Sequence, residues 1–138
     1  MKLRWRPLAP GETDHELIWS LVGLFTIGCV VFYFALPAPP PIRCAFHVLT
    51  GYPCLTCGST RALIALGRLD LVQAFRWNPL GAAAWAGWIL YILYGLPASL
   101  AKAPRLRLEM ARGDWIVLRA LISLALILNW IWVIVDGR

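Results

Sequence analysis

The chain has 138 residues, of which 60% are apolar and 14% are charged, and its net charge is +6. Soluble domains contain about 25% charged residues and disordered chains need high charge with low hydrophobicity, so the composition excludes both classes. It predicts an integral membrane protein with one domain over residues 1–138, whose basic excess serves membrane topology and lipid headgroups rather than nucleic acid.

The first predicted element is a membrane span over residues 17–36, which contain no charge. About 20 apolar residues suffice to cross a bilayer as a helix. Thr13 and Glu16 have the spacing of a capping box, which predicts the start of the helix. The proline-rich residues 37–41 end it and predict a stiff, extended spacer. Because the apolar run is long and no small-residue cleavage site follows, the span is interpreted as a retained anchor.

Two short helical patterns lie in the long connection between the first two spans. Ser59 or Thr60 is placed to cap the first, which is expected to end at Gly67. Asp70 is placed to cap the second, which is expected to end at Trp77. A short helix that is apolar nearly all round must be buried in lipid or protein. The two patterns therefore predict a re-entrant or interfacial helical hairpin.

The second span is predicted over residues 80–101. Asn78-Pro79 is a typical helix start, with proline at the first helical position. Small residues form one face of the span, and pairs such as Ala83 and Gly87 predict a close approach of another helix of the chain.

The third span is predicted over residues 115–135, with Asp114 as its N-cap. Arg119 lies about one turn inside the helix and can extend to the headgroups. Asn129 lies near the other end, where an interfacial position explains it better than a functional role does. The resulting fold class is an all-α polytopic membrane protein with three transmembrane helices and a re-entrant or interfacial hairpin between the first two.

The distribution of basic residues predicts the orientation. With three spans, eight lysine and arginine residues fall on the side of the N-terminus and five on the other side. The positive-inside rule then places the N-terminus in the cytoplasm and the C-terminus outside.

The connection over residues 44–79 carries a distinctive motif that includes three of the four cysteines. In order, the motif consists of Cys44, Thr50-Gly51, Pro53-Cys54, Cys57-Gly58, Thr60-Arg61-Ala62, Asp70, Ala74 and Asn78-Pro79. It resembles the bacterial membrane family called domain of unknown function 2752, although Leu55 stands where that family usually has proline. The resemblance implies a small multi-helix protein of the bacterial inner membrane, and it implies no activity.

One interpretation of the cysteine residues is a metal site. Cys44 and His47 form one pair at i, i+3, and Cys54 and Cys57 form another. Three thiols with one imidazole suit tetrahedral zinc or copper(I). The turn that Gly58 allows after the second pair resembles a zinc knuckle. Only six residues separate the two pairs, however, which is fewer than zinc-finger patterns usually have.

A second interpretation is thiol redox chemistry. Cys54 and Cys57 precede a helix, whose dipole favours thiolate, and a loop outside the cytoplasm permits disulfides. Cys44 would then be the third participant.

The remaining interpretation of the cysteines is structural, with a disulfide or packed thiols. Arg61 and Asn78 then bond backbone groups at helix ends, and lipid phosphate is the alternative ligand of Arg61.

The sequence thus predicts a non-enzymatic membrane component or accessory factor with a structural or metal-binding cysteine site, in the bacterial inner membrane. The alternative is a thiol-disulfide redox protein that uses Cys54 and Cys57. The expected partners are the lipid bilayer and either another membrane protein or a second copy of the chain, with no nucleic acid. The remaining motif positions, Thr60, Arg61, Asp70, Asn78 and Pro79, are assigned structural roles.

Overall fold

The computed structural model describes residues 2–9, 11–37, 44–109 and 111–136, so most of the predicted proline spacer lies outside the described residues. The described part of the chain forms six helices and two strands. In chain order these are β1 (Lys2–Arg6), α1 (His15–Ala35), α2 (Ala45–Thr50), α3 (Ser59–Gly67), α4 (Leu71–Trp77), α5 (Pro79–Leu100), β2 (Arg105–Glu109) and α6 (Arg112–Val135).

Three of these helices, α1, α5 and α6, are long and apolar enough to span a membrane, which confirms the predicted fold class. Large apolar side chains cover their outer surfaces, as Phe25, Ile116 and Leu90 illustrate with exposed fractions of 73%, 70% and 66%. A surface of this kind fits lipid and does not fit water. The short helices α3 and α4 form the predicted hairpin between the first two spans.

Close packing joins α1 to α5 at two glycines. A Cβ atom at Gly23 would lie 2.7 Å from Ile92 Cδ1, and one at Gly95 would lie 2.9 Å from Ser20 Oγ. At Gly87, in contrast, a Cβ atom would meet nothing within 4 Å. The small-residue approach that the sequence predicts therefore occurs on α5 at Gly95, about two turns beyond the predicted pair of Ala83 and Gly87.

The helix caps differ from the predictions at three starts. Asp14, and not Thr13, caps α1, because its Oδ1 accepts a hydrogen bond from the Leu17 amide. Ala111 is the N-cap of α6, and Asp114 lies inside the first turn, where it accepts from the Ala111 amide at 3.0 Å. Gly58 is the N-cap of α3. Its φ of +84° is a left-handed conformation that glycine adopts without strain.

A two-stranded antiparallel ribbon, β1 with β2, was not predicted. It brings the N-terminal segment and the connection between α5 and α6 to the same end of the molecule. Arg105 of β2 is buried, with 2% exposure, and its guanidinium pairs with Asp14 at 2.5 Å and lies 3.9 Å from Glu16. Glu16 therefore faces the ribbon rather than completing a capping box. The sequence signal that could have predicted these strands is the alternation of basic and apolar residues in both of them.

The other end of the molecule contains a small core of alanines. Ala62, Ala74 and Ala82 are fully buried, and they let α3, α4 and α5 approach closely. Trp77 and Trp85 pack against this cluster. The hairpin is thereby fixed on the first turns of α5, next to the cysteine motif.

Candidate metal centre

Three cysteines from two separate segments converge at this end of the molecule. Cys44 is the N-cap of α2, while Cys54 and Cys57 lie in the turn that leads into α3. All three sulfur atoms lie within 4.8 Å of one another, and all three residues are half-buried. The fourth cysteine, Cys29, lies on α1 and is exposed.

The turn from Cys54 to Cys57 places both sulfurs on the same side. The Cys57 amide donates to the Cys54 carbonyl at 3.0 Å, which closes the turn. The Cys54 amide donates to Cys57 Sγ at 3.3 Å, and the two sulfurs are 3.4 Å apart. Because a disulfide has an S–S distance of about 2.05 Å, this separation is a contact between two thiols. The arrangement leaves both sulfurs available as ligands.

The environment shifts the pKa values of the Cys54 and Cys57 thiols in opposite directions. Burial acts to raise the pKa of Cys54, but hydrogen bonds from Thr56, Cys44 and Cys57 outweigh it and lower the pKa to about 7. Burial, together with the hydrogen bond to Cys54, raises the pKa of Cys57 to about 11. The environment therefore favours the thiolate, which is the form that binds metal, at Cys54 over Cys57.

Side chains from the start of α5 and from α6 hold the turn by its backbone. Asn78 Nδ2 donates to the Leu55 carbonyl at 3.1 Å and to the Cys57 carbonyl at 3.0 Å. Asn129 Nδ2 donates to the same Leu55 carbonyl at 3.1 Å, and Trp130 Nε1 donates to the Pro53 carbonyl at 3.1 Å. These bonds link segments that are 21 to 77 residues apart in the chain.

The buried Asn129 is the residue whose importance the sequence did not reveal. Its Oδ1 also accepts from the Leu80 amide at 2.9 Å, so one side chain joins the cysteine turn, the first turn of α5 and α6. Its exposed fraction is 5%. The only signal in the sequence was its position inside an apolar span, where polar side chains are rare.

Other predicted site residues lie outside the cluster. His47 is exposed on α2 and does not belong to the group of convergent ligands. Thr60 is half-buried in the first turn of α3, and Pro79 is the first residue of α5. Asp70 caps α4 as predicted, by accepting from the Gln73 amide at 2.9 Å.

Asn78 and Arg61 have well-defined partners. Asn78 caps α5 as the sequence predicts, since its Oδ1 accepts from the Gly81 amide at 2.6 Å. The same side chain binds the cysteine turn through its nitrogen, so it connects the turn to the second span. Arg61 places its guanidinium 4.7 Å from the centre of the Trp77 ring, which is a cation–π contact.

Comparison with known proteins points to the same part of the chain as the cysteine cluster. The family model described as "Protein of unknown function (DUF2752)" matches residues 44–92, which run from the first cysteine of the cluster into the second span. The resemblance inferred from the motif is thereby confirmed over these residues. No curated protein and no solved structure matches the chain.

Proposed function

We propose that this protein is a non-enzymatic component of the bacterial inner membrane that binds one thiophilic metal ion through Cys44, Cys54 and Cys57. The observation that carries the proposal is the convergence of three sulfurs within 4.8 Å of one another. A sequence separation of ten residues between Cys44 and Cys54 makes this convergence a product of the fold rather than of one local turn.

The spacing of the sulfurs suits a metal ion. Three thiolates that bind one zinc ion at about 2.3 Å in tetrahedral geometry lie about 3.8 Å from one another. The observed separations, 3.4 Å between the Cys54 and Cys57 sulfurs and no more than 4.8 Å within the group, are close to this value. Small rotations of the side chains would therefore bring all three sulfurs into the coordination sphere.

The number and type of the ligands narrow the choice of ion. Thiolate ligands select zinc and copper(I) over the hard cations that prefer oxygen. Copper(I) would take the three sulfurs alone, whereas zinc would require a fourth ligand, such as water, for a tetrahedral site. Bound metal would join the start of α2 to the start of α3, so its role is to hold the motif on the membrane helices.

The redox alternative is not favoured by this arrangement. A dithiol oxidoreductase needs one pair of thiols that is free to exchange with a partner. Here the pair of Cys54 and Cys57 is part of a three-sulfur cluster. The hydrogen bonds from Asn78 and Asn129 hold the backbone of the turn, which suits a fixed coordination site.

The cellular setting of the proposal follows from the helices and the charge distribution. Three candidate spans support a multi-pass membrane protein. The excess of basic residues near the ribbon end supports a cytoplasmic N-terminus, which would place the cysteine cluster at the outer side. The lipid bilayer, and either another membrane protein or a second copy of the chain, are the partners proposed for it.

Metal analysis of the purified full-length protein tests the proposal. The protein, prepared in detergent without chelator, is expected to contain about one zinc or copper ion per chain, because the three thiolates form one site. Cys44→Ser, Cys54→Ser and Cys57→Ser should each lose the ion. The matched control is Cys29→Ser, which changes the one cysteine outside the cluster and should retain it.

Two further measurements keep the test decisive if a variant does not fold. Cobalt(II) added to the metal-free wild-type protein should develop the intense absorption bands of thiolate coordination. His47→Ala should leave the metal content unchanged, since His47 lies outside the group of convergent ligands. Wild-type protein that binds neither zinc, copper nor cobalt would overturn the proposal. A Cys54→Ser variant that retains full metal content would overturn it as well.

A further inference from the structure

An open groove lies along the hairpin of α3 and α4, separate from the cysteine cluster. Its volume is about 290 Å³, and Arg61, Arg68, Asp70, Gln73 and Trp77 contribute its polar and aromatic lining. Sites for small ligands have volumes of about 300–1,000 Å³, so the groove is at the lower limit of this range, which suits a small headgroup rather than a large cofactor.

The two arginines of the groove carry unused hydrogen-bonding capacity. Within the described part of the chain, the guanidinium groups of Arg61 and Arg68 make no hydrogen bond and no ion pair. The contact of Arg61 is the face of Trp77. A contact with the face of a ring holds the guanidinium in position and does not occupy its N–H donors. Arg61 is therefore oriented to bind a ligand that has several acceptor oxygens.

The acidic residue of the groove does not neutralise these charges. Asp70 uses Oδ1 to cap α4 through the Gln73 amide at 2.9 Å, and it forms no ion pair with Arg61 or Arg68. Two cations therefore face one carboxylate, and the groove has a net positive charge. Guanidinium groups bind phosphate oxygens in bidentate geometry, so phosphate is the anion that fits best.

Exposed apolar side chains flank the groove. Leu69, in the turn between the two helices, is 86% exposed, and Leu71 and Val72 at the start of α4 are 59% and 72% exposed. Leu69 also has a φ of +59°, in the left-handed region that a leucine rarely adopts. This backbone directs a large apolar side chain outward, which is favourable where lipid surrounds the turn.

We propose that the groove binds the phosphate of an anionic phospholipid headgroup, with Arg61 and Arg68 on the phosphate and Leu69 and Val72 among the acyl chains. The juxtaposition of a basic groove with an exposed apolar turn favours a lipid over free phosphate, because free phosphate would make no use of the apolar residues. The site is independent of the metal centre, and either can exist without the other.

Lipid binding to the full-length protein tests this assignment. Native mass spectrometry in detergent would measure the affinity for phosphatidylglycerol and for phosphatidylcholine, with inorganic phosphate as a competitor. The expected preference for phosphatidylglycerol is about tenfold, and Arg61→Gln and Arg68→Gln should each remove most of it, since a charge-assisted hydrogen bond contributes about this factor or more. Arg61→Lys should give an intermediate loss, because lysine retains the charge but lacks the planar fork.

The matched control is Arg112→Gln, which removes one exposed charge at the other end of the molecule and should leave the affinity unchanged. Far-UV circular dichroism checks that every variant is folded. If Arg61→Gln does not fold, Arg68→Gln carries the test, because the Arg68 guanidinium makes no hydrogen bond or ion pair in the described part of the chain. Equal affinity for the two lipids, or an equal loss in Arg112→Gln, would overturn the proposal. Displacement of phosphatidylglycerol by an equal concentration of inorganic phosphate would overturn the assignment to lipid.

Discussion

Replacement of Asn129 by alanine is expected to destabilise the protein although the residue lies in the third span. Its side chain accepts from the Leu80 amide at 2.9 Å and donates to the Leu55 carbonyl at 3.1 Å, with 5% exposure. Alanine removes both hydrogen bonds. The Leu55 carbonyl retains the donor from Asn78, whereas the Leu80 amide, in the first turn of α5, loses its side-chain acceptor.

The magnitude follows from these two bonds. Side-chain hydrogen bonds inside membrane proteins contribute about 0.6 kcal/mol on average, so two of them give a lower value of roughly 1 kcal/mol. A buried donor without a partner costs about 1–3 kcal/mol. Asn129→Ala should therefore lower the free energy of unfolding by about 1–3 kcal/mol.

In the assay, the purified protein is unfolded in mixed micelles by an increasing fraction of denaturing detergent. Loss of helix is monitored by far-UV circular dichroism. Trp132→Phe is the matched control, because it removes one exposed hydrogen bond, from Nε1 to the Arg76 carbonyl at 3.3 Å, and keeps an aromatic ring. This control should change stability by less than about 0.5 kcal/mol, as surface substitutions usually do. Asn129→Ala protein as stable as the control would refute the conclusion that Asn129 fixes the cysteine turn.

Four further predictions have separate measurements. Gly95→Ala should lower thermal stability by several degrees because its new methyl group meets α1, while Gly87→Ala, where a Cβ atom meets nothing, should not; equal melting temperatures would contradict the α1–α5 packing. Burial acts to raise the pKa of Asp14, but hydrogen bonds from the Leu17 amide, Ser99 and Arg105, together with the charge of Arg105, lower it below its usual 3.8. Stability from this carboxylate should therefore be present above pH 3.8 and lost as pH falls through the lowered pKa, and Asp14→Asn should abolish that part of the acid dependence in a pH titration of unfolding. In metal-free, reduced protein, Cys54 should be alkylated before Cys57, at a rate that rises through pH 7, and mass mapping that finds Cys57 modified first would reverse the assignment of the thiolate. Alkaline phosphatase fused to the C-terminus should be active, since the basic asymmetry predicts an outer C-terminus, and activity of a cytoplasmic reporter alone would mean reversed orientation or a different number of spans.

The features that the sequence determined by itself are those that depend on neighbouring residues. The three candidate spans follow from long apolar runs, because length and composition alone decide whether a helix can cross the hydrocarbon core. The caps at Asp70 and Asn78 were predictable because each bond reaches an amide three residues ahead. The cysteine pair at i, i+3 likewise forms a turn by local geometry alone.

Tertiary structure decided which of the candidate residues meet. Cys44 meets Cys54 and Cys57 in the folded chain, and His47 does not. The sequence could not distinguish them, because Cys44 and His47 have the same i, i+3 spacing as Cys54 and Cys57. The role of Asn129 depends on groups 49 and 74 residues away in the chain, and a span in isolation contains no information about them. The residues of β2 that pair with β1 are still more distant, at about one hundred residues along the chain.

The physical reason is the difference between local and long-range terms. An apolar run or a cap lowers the free energy within a few residues, so the sequence pattern is sufficient to identify it. A buried amide or guanidinium is stabilised only when a specific partner reaches it, and packing of distant segments selects that partner. In this protein, packing of α1 on α5 through Gly23 and Gly95, and of the hairpin on α5 through small alanines, brings those partners together.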